Sequence, residues 1–491
     1  MTPSINSPLH WLQRLCTALI VGLTVFQASA GGATDSSTLP DLGQDMTANV
    51  SPAEVRRIGE QAMAQIRQSL NYVDDAELNH YLNHIGQSLV AHIHGPHLKF
   101  HFFLVNDPTI NAHAIPGGVV VINTGLIFAT KSESELAAVL AHEISHITQR
   151  HYQRLLAERK RQAGVTLAAL LASVVLAATT NSSGAAGPAF AAMANSADQQ
   201  ITFTRSFEQE ADRMGIQLLA ASGYRPIAMA NFFGRLERGD RLNGAVPTFV
   251  LTHPVTSQRL EEARDYANRY PKPPRRNNQD FYLFRARAAA LYGLGSGDSM
   301  KDLRALLGSG TNGEAIRYGE AVALIQQNKL DRARKEIAVL RREKPKDPRF
   351  MLVQADLDLT SGQGDKAVQL YRRAYLTNPS QHWLIQRYAA GLIATHHATT
   401  AVKILKPAER EDPEDPSLQK LLARASGDAG DLVTAHRAMA EYYVLTGDRG
   451  AAIRQLDIAL RNAKGNYYST AGIKARIKEI RSSGIAGPGS P

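Results

Sequence analysis

A chain of 491 residues is long enough for two or three domains with cores of their own. Its 44% hydrophobic and 20% charged residues are ordinary for a soluble globular protein, and its single cysteine excludes a disulfide scaffold. The formal net charge of +10 permits peripheral contact with an anionic membrane or with nucleic acid, although a solvated basic surface is the ordinary account of such a balance.

Residues 1–30 read as a secretory signal peptide. Arg14 precedes an apolar run at 15–26, and Ala28-Ser29-Ala30 offers a small-residue cleavage site. The run is short for a membrane span. Cys16 leaves with this segment, so the mature chain would hold no cysteine. Export would argue against a nucleic-acid partner. Residues 31–50, rich in Gly, Ser, Thr and Asp, read as a flexible lead-in.

The domain expected over 51–269 opens with Ser51-Pro52-Ala53-Glu54, an N-cap Ser followed by Pro at the first helical position. A second helix is expected over 73–92, with Leu78, Leu82, Ile85 and Leu89 on one face. Residues 99–105 and 118–122 read as strands. A long helix is expected over 132–159, with Ser132 and Glu135 as a capping box. Residues 162–197 carry no charge and suggest a mobile segment near the site, a buried hairpin or a membrane-touching loop. A helix over 205–222 stops at Gly223.

The basic, Pro-rich stretch 270–280 reads as a linker to a second domain over 281–481. There Ala333, Ala367, Ala401 and Ala435 recur every 34 residues, each after a turn. Asp347-Pro348, Asn378-Pro379 and Asp412-Pro413 punctuate the pattern. Small residues at helix crossings with this period are the signature of tetratricopeptide repeats, which stack into a solenoid with a concave protein-binding face. Residues 482–491 read as a disordered tail.

The chemistry lies in His142-Glu143-Ile144-Ser145-His146. On a helix His142 and His146 stand one turn apart, so both rings can face one ion. Zn²⁺ suits two imidazoles and an open position, and Glu143 is placed to act as general base. A third ligand must come from elsewhere. Glu208 and Asp212 lie one turn apart on a later helix. Glu208 can bind the metal while Asp212 holds a ligand histidine by its second nitrogen, although acidic helix faces are commonly just solvated. Glu210 points away from that face. His253, on a loop with Arg259 nearby, can donate to the oxyanion or cap the zinc at rest. Asn111, Ala112, Gly117 and Gly118 flank a segment where an edge strand can hold a substrate peptide, with Arg259 as a further substrate contact. His92, His94, His97 and His101 share no face with a carboxylate and read as surface or core residues.

Asn111 to Gly118, Asn123-Thr124-Gly125-Leu126, the HExxH segment 141–151, the acidic segment 207–215 and Thr252-His253-Pro254 together resemble the zinc metallopeptidase family that includes HtpX and the CAAX-processing proteases, in its exported, repeat-bearing branch. The resemblance implies a mainly α chain, a gluzincin-type domain of helices with a small β-sheet followed by an α-helical repeat solenoid. It implies one zinc ion on His142, His146 and Glu208, with Glu143 as base, Asp212 in support and His253 near the metal. It further implies protease and chaperone-like roles in outer-membrane protein assembly and quality control. Substrates would be stalled or misfolded outer-membrane proteins, with the β-barrel assembly machinery engaged through the repeats. Two alternatives stay open: a repeat-scaffold chaperone with a largely silent site, and a membrane-inserted protease. Neither the membrane spans nor the cysteine pair found elsewhere in the family is evident here.

Overall fold

The computed structural model describes residues 51–69, 71–93, 98–155, 205–243, 247–274, 279–293, 299–308, 312–463 and 465–482. The signal peptide, the lead-in, the uncharged segment 162–197, His94, His97 and residues 483–491 of the tail lie outside them.

Helix α1 (Pro52–Gln68) starts as its sequence dictates, with Ser51 Oγ accepting from the Glu54 amide at 3.1 Å. Helix α2 (Ala76–Val90) is shorter than the apolar spacing suggests. Asp75 caps it by accepting from Leu78 N at 3.0 Å, and Val73 N–H instead donates to Leu104 O at 3.0 Å. Strands β1 (His101–Val105), β2 (Ala112–Ile115) and β3 (Val119–Asn123) form a sheet in the order β1-β3-β2. β1 runs parallel to β3 and β2 antiparallel to it, so β2 is an edge. All five residues of β3 are buried, as expected for a continuous apolar run at the centre of a sheet.

The segment that was expected to lead into β3 therefore contributes a strand of its own, closed by a turn at Gly117 and Gly118. Both glycines have positive φ, +96° and +88°. A Cβ on Gly117 would lie 2.7 Å from Gly59 Cα of α1, and one on Gly118 only 2.0 Å from Lys99 O. Turn geometry and close backbone packing thus account for both.

After α3 (Thr124–Ala129), helix α4 (Glu133–Thr148) is buried at every residue from Ser134 to Ile147. That is the behaviour of a helix at the centre of a core rather than on its surface. The helix does not run on to residue 159. Arg150 takes φ 54°, and a separate helical stretch follows at 151–155. Helix α5 (Arg205–Ala221) packs on α4 at Gly215, where a Cβ would stand 3.3 Å from Ala141 C and from His142 N. Helices α6 (Ala228–Asn243), α7 (Thr248–Thr252) and α8 (Ser257–Asn268) complete this part.

Beyond residue 278 the described chain is helical: α9 (Gln279–Tyr292), α10 (Ser299–Leu307), α11 (Gly313–Gln326), α12 (Leu330–Glu343), α13 (Pro348–Thr360), α14 (Gly364–Thr377), α15 (His382–Ala394), α16 (Ala398–Glu411), α17 (Pro416–Asp428), α18 (Leu432–Leu445), α19 (Arg449–Asn462) and α20 (Tyr467–Ser482). Ala333, Ala367, Ala401 and Ala435 are all buried, on α12, α14, α16 and α18. The same period is written in the backbone. Asn328, Gly362, His396 and Gly430 each have positive φ, and the following amides bond back to Leu324, Asp358, Leu392 and Ser426 carbonyls at 2.7–2.9 Å. Each pair is a Schellman-type stop that lets the second helix fold back on the first.

The repeats are fastened to the first domain by buried charge. Arg287 on α9 holds both oxygens of Asp75, at 2.9 and 2.7 Å. Tyr318 on α11 donates to Glu77 at 2.7 Å. Farther along, Arg67 donates to Leu445 O at 3.0 Å, Gln68 bonds Thr446 O, and His80 stacks on Trp383 at 5.7 Å. No helix among the described residues is long and apolar enough to cross a membrane.

Candidate metal centre

Helix α4 carries His142, Glu143 and His146 into the core, each at most 2% exposed. Helix α5 crosses it with Glu208 and Asp212, and the loop after α7 brings His253, which ends α7 through its amide bond to Phe249 O at 2.8 Å. Phe249 stacks on the His253 ring at 4.8 Å and fixes it toward the histidine pair.

His142, His146, Glu208 and His253 each offer one ligand atom, and these atoms all lie within 4.8 Å of one another. Four donors about 2.1 Å from one ion at tetrahedral angles would stand about 3.4 Å apart. His142 Nε2 is 3.0 Å from His146 Nε2 and 3.3 Å from His253 Nδ1. Glu208 lies 3.4 Å from His142 Nε2 and 3.5 Å from His146 Nε2. The donor set and its spacing therefore fit a small divalent cation that favours imidazole and carboxylate.

The surrounding groups hold these donors in place. Asp212 Oδ1 lies 3.0 Å from His142 Nδ1, where it can support that ring from behind. Asp212 is itself gripped by Arg259, Nε to Oδ2 at 2.8 Å and Nη2 to Oδ1 at 2.9 Å. Arg259 Nη1 also reaches Glu208 Oε2 at 2.9 Å and Pro254 O at 2.7 Å. Arg259 was expected to contact substrate. Its place is instead beneath the centre, 1% exposed and committed to two carboxylates, which suits a positioning part.

Burial raises the Glu208 carboxyl pKa, but His253, His142 and Arg259 outweigh it and hold the group well below the ordinary range. Burial likewise opposes a charge on His142, yet Asp212 and Glu208 push that ring up to about 10. Glu143 goes the other way. Burial pushes its carboxyl up, and His253 and His142 draw it only part of the way back. Neither of its oxygens has a hydrogen-bond partner of good geometry, and His253 Nε2 stands 3.7 Å off. The Ala114 amide of β2 is the backbone group that faces it.

Among the expected substrate contacts, Asn111 and Ala112 sit at the head of edge strand β2. Asn111 Oδ1 accepts the Ala112 amide at 3.0 Å, and its Nδ2 is 2.9 Å from His113 Nε2. Gly117 and Gly118 lie at the far turn. His92 bonds Ser88 O at 3.0 Å, outside the centre.

Sequence reasoning missed His151. Its Nδ1 lies 3.0 Å from His146 Nδ1, and its Nε2 lies 3.2 Å from Glu210 Oε2. Five residues along a straight helix would place it well round the axis from His146. The break at Arg150 brings it back, and nothing in the spacing announced that break. Glu210, which was expected to point elsewhere, reaches the centre through His151.

The description peptidase family M48 matches residues 76–267, and a tetratricopeptide repeat model matches residues 358–425. The β-barrel assembly-enhancing protease of Escherichia coli (strain K12) is 33% identical over 474 residues, 96% of each chain. The protein of that name from Yersinia pestis is 35% identical over 445 residues, 90% of this chain and 91% of its own. The mitochondrial metalloendopeptidase OMA1 of Arabidopsis thaliana is 27% identical over 227 residues, 46% of this chain and 44% of its own. With a likeness that runs almost end to end and a buried His, His, Glu and His cluster where the motif predicts it, this chain belongs to peptidase family M48, as a metallopeptidase joined to tetratricopeptide repeats.

Proposed function

We propose that the chain is a periplasmic zinc endopeptidase that removes stalled or misfolded outer-membrane proteins and assists the assembly of others. The observation that carries the chemistry is the convergence of His142, His146, Glu208 and His253 beside the buried Glu143 carboxylate. The names of the relatives support the substrate class, and the expected signal peptide supports the compartment.

When bound, zinc supplies a Lewis acid that polarises the scissile carbonyl and makes water a competent nucleophile. His142 Nε2, His146 Nε2 and Glu208 would hold it. Glu143 takes the proton from the attacking water on a carboxylate oxygen and passes it to the leaving amine. Edge strand β2 pairs with an extended substrate through outward-facing backbone groups and aligns the scissile bond. Asp212 and Arg259 keep His142 and Glu208 in register. His253 would offer a fourth donor to the metal, or a hydrogen bond to the oxyanion.

The repeats recruit. A cavity between Asp74–Ala76 and the helices α15, α17, α18 and α19 is lined by Arg387, Lys420, Arg424 and Tyr443, a mixture suited to a peptide. We assign it to substrate or to the assembly machinery.

Glu143→Gln should retain one zinc per chain and lose about 10²–10⁴-fold in cleavage of a denatured β-barrel protein. Cleavage at the wild-type rate by that variant would remove Glu143 from the mechanism. A variant that still promotes β-barrel assembly as well as wild type would favour the scaffold reading.

A further inference from the structure

A ligand histidine must offer an unprotonated nitrogen to a metal, so its other nitrogen carries the proton and needs an acceptor. For His142 the group beside that second nitrogen is Asp212. For His146 the neighbour of that nitrogen is a ring and not a carboxylate among the described residues. The ring is that of His151, with Nδ1 at 3.0 Å from His146 Nδ1.

We propose that His151 and Glu210 form a positioning relay that fixes the metal-binding tautomer of His146. The logic runs outward from the centre. If His146 Nε2 is the ligating atom, His146 Nδ1 holds the proton and donates to His151 Nδ1. That nitrogen must then be a bare acceptor, so the His151 proton sits on Nε2. It faces Glu210 Oε2 at 3.2 Å, a carboxylate that can only accept. Every donor in the chain then meets an acceptor in one arrangement, and reversing any one ring leaves two like atoms face to face.

The relay is also held rigid. The His151 ring stacks on Phe207 at 4.7 Å with an interplanar angle of 8°. Arg154 lies over the same Phe207 ring at 4.4 Å and donates to Glu210 Oε2 at 2.9 Å. The side chain of His151 is fully buried, while Glu210 is 25% exposed at its outer end. The break at Arg150 is what turns His151 toward His146, so the relay depends on a backbone feature that a continuous helix would not supply.

The inference rests on zinc as the metal, and the full-length protein tests both separately. Zn²⁺ affinity is measured by competition with a chromophoric chelator for wild type, His151→Leu, His151→Asn and Glu210→Ala. The thermal midpoint of each metal-free protein is recorded alongside. Asn places an acceptor oxygen close to the position of Nδ1, whereas Leu fills the space without one. His151→Leu should weaken zinc binding about 10–100-fold, and His151→Asn should restore most of it. Glu210→Ala, at the partly exposed end of the relay, should weaken binding by a smaller factor with an unchanged metal-free midpoint. In Co²⁺-loaded protein, His151→Leu should shift the visible spectrum and His151→Asn should not. The relay is overturned if His151→Leu binds as tightly as wild type, or if His151→Asn falls as far as His151→Leu. Should both His151 variants fail to fold, unchanged affinity in Glu210→Ala overturns it equally. A wild type that binds no zinc overturns instead the identity of the ion.

Discussion

The junction around Arg287 and the centre around His142 are both buried clusters of charge, yet their polar atoms have different company. At the junction Arg287 faces Asp75 and Glu77, Tyr318 bonds Glu77, and each of these side chains has its partner within the fold. At the centre both oxygens of Glu143 lack a hydrogen bond of good geometry, and several donors crowd toward one point. A buried carboxylate without a partner is costly, so a fold keeps it only where something else completes it. A satisfied cluster fastens two parts together. An unsatisfied one waits for a ligand.

Removing the metal should act on one region and leave the other intact. Dialysis against a chelator is expected to abolish peptidase activity and to lower the thermal midpoint, with zinc restoring both. Full activity in metal-free protein would break the contrast at its root. The reciprocal change is Arg287→Met, which strands Asp75 and Glu77 in the interior. It should cost about 3–5 kcal/mol in urea unfolding while the folded fraction keeps one zinc per chain. A loss below about 1 kcal/mol would place the junction among exposed ion pairs of little consequence.

The smallest effect is one of pH. Burial alone would raise the Asp75 pKa, but Arg287 outweighs it and holds the carboxyl down to about 2. That folded value lies below the unfolded value of about 3.9. The stabilisation is therefore complete above the unfolded value and is lost as pH falls through the folded one. The stability advantage of wild type over Asp75→Asn, which keeps the helix cap, should be constant from about pH 7 to 5 and shrink toward pH 2. A gap that does not change over that range would mean the charge on Asp75 contributes nothing.

Much of this was legible in the chain. His142 and His146 are one helical turn apart by arithmetic, and the repeat period survives in four alanines because a helix crossing has room only for a small side chain. Ser51 announces its helix, and Gly223 ends another with φ 72°. What escaped depends on distance in sequence. Arg287 reaches Asp75 across 212 residues, and no local pattern marks either as a partner of the other. Arg259 looked free beside a loop, and only the packing of α8 on α5 reveals that its guanidinium is consumed by Asp212 and Glu208. His151 was hidden by a single left-handed residue, since Arg150 carries no glycine-like signature to warn that the helix stops.

The fastening of the repeats at several points along their length has a consequence for how they come apart. An array of stacked hairpins ordinarily frays from its ends, one unit after another, because each touches only its neighbours. Here the array is pinned at α9 by Arg287, at α11 by Tyr318, at α15 by Trp383 and again at residues 445–446 by Arg67 and Gln68. The helices between those pins, α10 to α18, can loosen only together with a face of the peptidase domain. The gradual unzipping typical of repeat arrays is therefore expected to give way, over this stretch, to melting as one body with the enzyme it serves.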